Sequence, residues 1–314
     1  MTNDYVIMGI DTGNAMIKTA HCLFPAGLIE HGEHQPALKA DSIYYNGKWY
    51  SLTSQRIPYR EDKTNDDYYF VLSLFGIAKE LNARELPHTA TLHLGVGLPP
   101  SHLNRYRQKY LDYFKRSDKP IEFEYKGEKY SITIDKVSVF PQAYAAVHKL
   151  IGQLQSETQV YLIDIGGYTT DVLLLAKDDR GLVTADLSFC ETFEFGTIRC
   201  YNKIERNLYT DFHVNASDLL VQEMLLNNNG DPECVEVAKR IRDQYAKDLV
   251  TTLEEKGVEL RLSLPVFIGG GSQLMQDSIM KCDIRRPIFV ADMKENAAGY
   301  EALIRLEDSD SNGK

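Results

Sequence analysis

Three short segments combine carboxylates, glycines and hydroxyls in a way that could hold a phosphate chain. The first is Gly9-Ile10-Asp11-Thr12-Gly13-Asn14, with Lys18 close behind. Small residues in a turn let backbone N–H groups approach phosphate oxygens, and a lysine adds a point charge. Asp11 would repel a phosphate directly, so its use there requires a cation between them. Mg²⁺, with oxygen ligands and retained waters, suits that role. The second segment is Asp164-Ile165-Gly166-Gly167-Tyr168-Thr169-Thr170-Asp171, which repeats the same logic. The third is Val266-Phe267-Ile268-Gly269-Gly270-Gly271-Ser272, an apolar run into three glycines that would let a flat base and ribose lie on the backbone. Taken singly, each is equally what an ordinary turn looks like.

The elements that must position these residues follow from the surrounding pattern. Tyr5–Gly13 and Val160–Gly167 are β-rich runs that end in an acid and glycine, and each is followed by a second apolar run, at Ala15–Cys22 and Thr170–Ala176. That is a hairpin signal, met twice, and it suggests two related α/β domains. Helices are expected over Asn65–Leu81, over Ser101–Phe114 with Ser101 as N-cap, and over Gln142–Leu154 after Pro141. Further helices are expected over Thr197–Leu208 after Gly196 and over Glu233–Lys256. The last of these has an apolar stripe at Ile241, Tyr245, Leu249 and Leu253, with supporting pairs Glu236–Arg240 and Asp243–Lys247. Pro265–Ile268 reads as a buried strand, followed by helices over Gln273–Met280 and Lys294–Leu306. Residues 36–60 are polar and aromatic, with short strands at Ser42–Tyr45 and Trp49–Leu52, and read as an insertion. The tail Glu307–Lys314 reads as a solvated terminus.

Composition narrows the function classes. The 314 residues carry 35 Lys and Arg against 45 Asp and Glu, a balance of −10 that argues against nonspecific attraction to nucleic-acid phosphates. With 43% hydrophobic and 25% charged residues, the chain can bury a core. No run approaches the ~18 apolar residues of a membrane span, and the amino terminus lacks the features of a secretory signal. Five dispersed cysteines without a CxxC spacing point to reduced thiols in a cytoplasmic protein rather than disulfides or zinc. The eight histidines form no HxxxH or HExxH pair, and there is no GxSxG for serine catalysis. No repeat of 20 to 50 residues is present.

In fixed order, the two acid-glycine hairpins and the Gly-Gly-Gly element make a more specific pattern. The chain resembles the actin–hexokinase–heat-shock-chaperone superfamily of ATPases at residues 9–18, 163–171 and 266–273. It resembles them again at two connecting segments, Phe140-Pro141-Gln142-Ala143-Tyr144-Ala145-Ala146 and Glu295-Asn296-Ala297-Ala298-Gly299-Tyr300. Within that superfamily it most resembles the ParM (StbA-like) bacterial actins of plasmid segregation. The compact length, the insertion near 36–60 and the Gly97-Leu98-Pro99 turn carry that likeness. The resemblance implies an α/β actin-like ATPase fold with two ribonuclease-H-like domains flanking a nucleotide cleft. One domain would be built from 1–150 plus 291–314 and the other from 151–290. It implies ATP (GTP being an alternative) with Mg²⁺, polymerisation of the chain into filaments, slow hydrolysis coupled to assembly, and a DNA-binding adaptor (ParR-like) on a centromere-like site. Direct nucleic-acid or membrane binding is not expected.

The same resemblance assigns roles. Thr12, Gly13, Asn14 and Lys18 would meet the β- and γ-phosphates from one side, and Gly166, Gly167 and Thr169 from the other. Asp11 and Asp164 would hold Mg²⁺ through its waters, and Gly269, Gly270 and Ser272 would border the adenosine. Gln142 stands where relatives carry Gln or Glu. Many ParM-type proteins have Glu there, so this chain matches actin instead. An amide cannot take a full proton, so Gln142 would orient the attacking water while Asp164 or solvent accepts the proton. Asn202, Lys203 and Arg206 are candidates for the base or ribose. A sugar or acetate kinase of the same superfamily is the alternative function, although no residue stands out to deprotonate a substrate hydroxyl. A chaperone-like switch would need a peptide-binding domain for which no chain remains.

Overall fold

A computed structural model describes residues 5–36, 41–55 and 57–312. The first four residues, the tail's last two and parts of the 36–60 segment lie outside them. The chain divides into two compact units, residues 1–149 with 294–314 and residues 150–293.

In the first unit the chain runs β1 (Val6–Thr12), β2 (Met16–Thr19), β3 (Leu23–Pro25), β4 (Gly27–Gly32), β5 (Ser42–Tyr45), β6 (Lys48–Thr53), α1 (Tyr68–Ala83), β7 (Thr89–Leu98), α2 (Leu103–Phe114), β8 (Ile121–Tyr125) and β9 (Glu128–Pro141). The second unit follows with α3 (Ile151–Leu154), β10 (Gln159–Ile165), β11 (Thr170–Lys177), β12 (Val183–Phe193), α4 (Thr197–Phe212), α5 (Asp218–Asn227), α6 (Pro232–Glu255), β13 (Leu264–Ile268), α7 (Gly270–Ile279) and β14 (Ile288–Phe289). Helix α8 (Glu295–Asn312) then returns to the first unit.

The first unit's sheet has the order β3-β2-β1-β7-β9-β8-β5-β6-β4. The strands of the 36–60 segment are therefore integral to this sheet rather than an irregular appendage: β5 pairs with β8 and β6 with β4. Helix α1 is so apolar that most of its surface is buried, Tyr69 to Leu72, Leu74, Phe75 and Leu81 among them. Helix α8 lies against β1 and β7 because those strands are stripped of side chains where it crosses. A Cβ at Gly9 would overlap the Ala297 carbonyl, and one at Gly97 would overlap the Tyr300 ring. Burial of Tyr300 and Ile304 there supplies the usual apolar stabilisation, about 2 kcal/mol each.

The second unit's sheet has the order β12-β11-β10-β13-β14, with α4 to α7 packed on a core that includes Ile163, Ile204, Tyr245, Leu249 and Phe267. The stripe expected on α6 is present: Tyr245, Leu249 and Leu253 are fully buried and Ile241 packs beside them.

Several expectations need correction. Gln142 does not begin a helix. Ala143 adopts φ +62°, and only a short 3₁₀ turn (Ala145–Val147) and the single turn of α3 follow. Ser101 is not an N-cap; it lies in a 3₁₀ turn, and α2 starts at Leu103. Asp243 does not pair with Lys247 but with Arg242 (2.9 Å) and Lys281 (2.7 Å). Helix α7 begins at Gly270, inside the glycine run. The acidic tail is helical through Asn312, and Tyr5 donates a 2.7 Å hydrogen bond to Asp308.

Candidate functional site

In the first unit the hairpin β1–β2 sets Asp11 directly opposite Lys18, so the two side chains share one face of the sheet. Lys18 Nζ lies 3.0 Å from Asp11 Oδ2, and Asp11 is almost wholly buried. Gln142 completes the group by donating from Nε2 to Asp11 Oδ1 at 2.9 Å. Its placement is a product of the backbone. The Gln142 N–H continues the β7–β9 ladder onto the Leu98 carbonyl, and the left-handed Ala143 that follows donates its N–H to Asn296 Oδ1 at 3.0 Å. Asn296 opens α8, so one buried amide on the returning helix locks the turn that presents Gln142.

The tip of this hairpin is tight. A Cβ on Gly13 would stand 2.6 Å from the Met16 carbonyl oxygen. Thr12 is fully buried, and Lys63 donates to its carbonyl while lying 5.2 Å from the centre of the Tyr69 ring. Asn14 is held through its Oδ1, which accepts from Tyr69 Oη (2.8 Å) and the Arg60 N–H (3.3 Å), so that end of the amide fixes the loop. Lys63 was missed in the sequence because it sits in a loop with no flanking motif.

Behind the hairpin lies a buried charge network that also escaped sequence reasoning. Glu80, fully buried on α1, accepts from Thr19 Oγ1 (2.5 Å), the His21 N–H (3.1 Å) and Arg84 Nε (2.6 Å), and lies 2.6 Å from His21 Nδ1. Arg84 donates to the Ile7 carbonyl at 3.0 Å and pairs with Glu301, which accepts the Gly9 N–H at 3.1 Å. Burial pushes the Glu80 carboxyl up, but the hydrogen bonds from His21 and Thr19 and the charge of Arg84 outweigh it, and the net shift is downward. The signal was a lone glutamate in an otherwise apolar helix, since a buried carboxylate must have partners.

In the second unit the hairpin β10–β11 places Asp164 opposite Asp171 and Ile165 opposite Thr170. Thr192 Oγ1 donates to Asp171 at 2.7 Å. The Gly166 N–H is spent inside the turn, on the Thr169 carbonyl at 2.8 Å, which removes it from the set of phosphate donors expected there. The carbonyls of Gly166 and Gly167 accept the N–H groups of Thr197 and Ile198, so the turn also satisfies the first donors of α4. Gly196 packs against Gly167 too closely for any side chain, and Tyr245 Oη fixes the Gly196 carbonyl at 2.9 Å.

The glycine element stands beside Asp164 because β13 runs parallel to β10, with Ile268 level with Asp164. Gly269 has φ +83°, and a Cβ on it would collide with Asp164 Oδ1 and the Ile165 carbonyl. Glycine is required here on both counts. A Cβ on Gly270 would stand 2.8 Å from Met293 Sδ. Ser272, expected beside the adenosine, is fully buried, and its hydroxyl donates to the Gly269 carbonyl at 2.7 Å, which braces the first turn of α7. Asn202, Lys203 and Arg206 lie on the exposed face of α4, opposite buried Ile204 and Leu208. Lys203 rests over the Tyr245 ring at 5.2 Å.

The donor chemistry fits a hydrated magnesium–phosphate group. Each unit offers one carboxylate at a strand end beside a glycine turn, and a carboxylate of this kind can hold the waters of Mg²⁺. Among the described residues no group of three or more His, Cys, Asp or Glu side chains is placed so that it could hold a metal ion by itself. Burial pushes the Cys190 thiol up to about 11 and the Cys200 thiol up to about 12, so both stay protonated. No helix among the described residues is long and apolar enough to cross a membrane.

Comparison with known proteins gives this arrangement its class. Residues 9–144 match the family of actin-like protein N-terminal domains, and residues 162–281 match the C-terminal domain of archaeal MreB-like actin homologues. The two units therefore have the actin-like ATPase fold. The chain belongs to the actin-like proteins.

Among similar solved structures is a 15-stranded ParM filament from Clostridium botulinum, 19% identical, covering 97% of this chain and 100% of that one, with a TM-score of 0.74. The actin-like protein Alp7A is 13% identical over 98% of this chain and 97% of its own, with a TM-score of 0.77. An archaeal actin homologue, Ta0583, solved in complex with ADP, is 19% identical over 96% and 99%, with a TM-score of 0.73. No curated protein matches the sequence.

Proposed function

We propose that this protein is an ATP-hydrolysing, filament-forming actin that segregates plasmid DNA through an adaptor protein. The observation that carries the reading is the buried Asp11 held between Lys18 and the Gln142 amide, within an actin-like fold spanning the chain. Asp11 and Asp164 would hold Mg²⁺ through its waters, and that ion would neutralise charge on the phosphates. Thr12, Gly13, Lys18, Gly167 and Thr169 would position the phosphate chain, with Gly269 and Gly270 against the nucleoside. Positioning and charge stabilisation are most of what phosphoryl transfer to water requires.

Gln142 acts on the water. Its Nε2 is committed to Asp11, which leaves Oε1 as an acceptor. An acceptor of that kind holds a water by its hydrogen and orients its lone pair for attack. The amide takes no proton, which passes to Asp164 or solvent. GTP is the competing nucleotide to be compared with ATP.

Sedimentation with MgATP, with MgADP and without nucleotide tests this reading. ATP-dependent pelleting above a threshold concentration, with phosphate release that rises with polymer, is the expected result. A protein that stays in the supernatant and whose ATP turnover rises only with a sugar or acetate would be a kinase instead.

A further inference from the structure

Within the first unit, helix α8 grips the frame of the Asp11 site at several points. Its second residue, Asn296, is buried, and Asn296 Oδ1 accepts the Ala143 N–H at 3.0 Å. The next residue, Ala297, places its carbonyl where a side chain at Gly9 on β1 would have to stand. Gly299 meets the Ala145 carbonyl just as closely, since a Cβ there would overlap it. Further along, Glu301 accepts the Gly9 N–H at 3.1 Å. Backbone against backbone, α8 thus holds β1, which carries Asp11, in a fixed relation to the segment that follows Gln142.

The turn at Gln142 needs such a hold. The Gln142 N–H donates to the Leu98 carbonyl at 2.9 Å, and the Gln142 carbonyl accepts the Tyr144 N–H at 2.6 Å. That second bond closes a three-residue turn over Ala143, which is fully buried with φ +62°. A γ-turn with positive φ at its centre is rare and strained, and a residue with a Cβ keeps it only where the surroundings dictate it. Asn296 is the side chain that engages the N–H of that strained residue. Without its oxygen a buried donor would lose its acceptor, which is costly. The turn would relax toward the negative-φ backbone that alanine prefers. Rotation at Ala143 displaces the Gln142 peptide, and with it the amide that lies 2.9 Å from Asp11 Oδ1.

We propose that Asn296 is a positioning residue for hydrolysis. Through Ala143 it aims the Gln142 amide at Asp11, and so fixes where Gln142 Oε1 holds the attacking water. The proposal rests on the ATPase reading above and deepens it by naming the group that sets the water-orienting side chain. Because Asn296 acts through Gln142, its loss leaves the Asp11–Lys18 pair and the hairpin tip in place. The effect falls on the chemical step and not on nucleotide binding. A misplacement of about 1 Å in a positioned group can cost about a hundredfold in rate.

The test is a double-mutant cycle on the full chain with Asn296→Leu and Gln142→Ala. Leucine keeps the bulk of the amide and removes the acceptor. Circular dichroism melting checks folding, and Asn296→Ala replaces the leucine variant where that one does not fold. In Asn296→Leu, single-turnover hydrolysis of saturating MgATP, taken per unit of pelleted protein, should slow at least about tenfold, with ATP affinity by titration within about threefold of the wild type. Added to Gln142→Ala, the same substitution should slow hydrolysis by less than about threefold more, because the group it positions is already gone. Three results would overturn the role while leaving the ATPase reading standing: wild-type hydrolysis in Asn296→Leu, loss of ATP binding in that variant, or a full tenfold loss that persists on the Gln142→Ala background. A wild-type chain that hydrolyses no ATP with Mg²⁺ overturns both.

Discussion

Replacing Glu80 by Gln is the perturbation whose size the structure fixes best. The carboxylate is fully buried and receives hydrogen bonds from Thr19, the His21 N–H and Arg84. Removing one partner of a buried ion pair costs about 3–5 kcal/mol, because the other charge is left in a medium that cannot solvate it. Here Arg84 keeps Glu301, and the amide still accepts one or two of the hydrogen bonds, so the low end applies, about 3 kcal/mol. For a unit of this size each kcal/mol moves the melting temperature by about 2–4 °C, which gives a fall of about 6–12 °C. Calorimetry reads the change. The pH dependence carries a sign. Because the Glu80 carboxyl is held below its ordinary range, its stabilisation is present above that range and is lost as pH falls through the lowered value. The gap between wild type and variant should therefore narrow below about pH 4. A variant that melts within about 2 °C of the wild type at neutral pH would refute the reasoning.

Three further outcomes are expected. Gly269→Ala forces a side chain into φ +83° and against the Asp164 carboxylate, so ATP affinity should fall at least tenfold in a titration while the fold persists; unchanged affinity would remove the glycine turn from the site. Gln142→Ala should slow single-turnover hydrolysis by about a hundredfold with ATP binding kept, in the range of positioned water activation, whereas lost binding would give Gln142 a structural role. Asp243, held down to about 2 by Lys281, Ser278 and Arg242 against the opposing effect of burial, contributes stability that is lost between about pH 4 and pH 2. Asp243→Asn should flatten that part of the acid-unfolding profile, by about 1 kcal/mol once solvent screening of this partly exposed group is allowed for.

The two hairpins were legible because an acid followed by glycine between β-rich runs leaves a chain few other options, and the buried strand Leu264–Ile268 was legible from its length and apolarity. The segment after Pro141 was not. Its alanines and leucines suit a helix, yet the left-handed Ala143 and its tie to Asn296 are tertiary facts that propensity does not see. The 36–60 strands were found but their membership of the sheet was not, since Ser42–Tyr45 pairs with residues about eighty positions away. Asn14 and Ser272 illustrate the same limit within the site. Their types suit ligand contact, and the contacts that hold them, from Tyr69 and Arg60 to one and from the other to the Gly269 carbonyl, depend on packing that the sequence does not show. Asp243 shows it on a helix surface, where Lys281 from α7 replaces the i,i+4 partner that spacing suggested.

The proposed function depends most on Asp11 and Asp164 as the carboxylates that would hold the waters of Mg²⁺. The most direct measurement is steady-state MgATP turnover, alongside calorimetric MgATP binding, for Asp11→Ala and Asp164→Ala. The account predicts that each substitution alone lowers turnover at least a hundredfold and weakens the magnesium dependence of binding. Turnover and magnesium dependence that survive either change undiminished would contradict it.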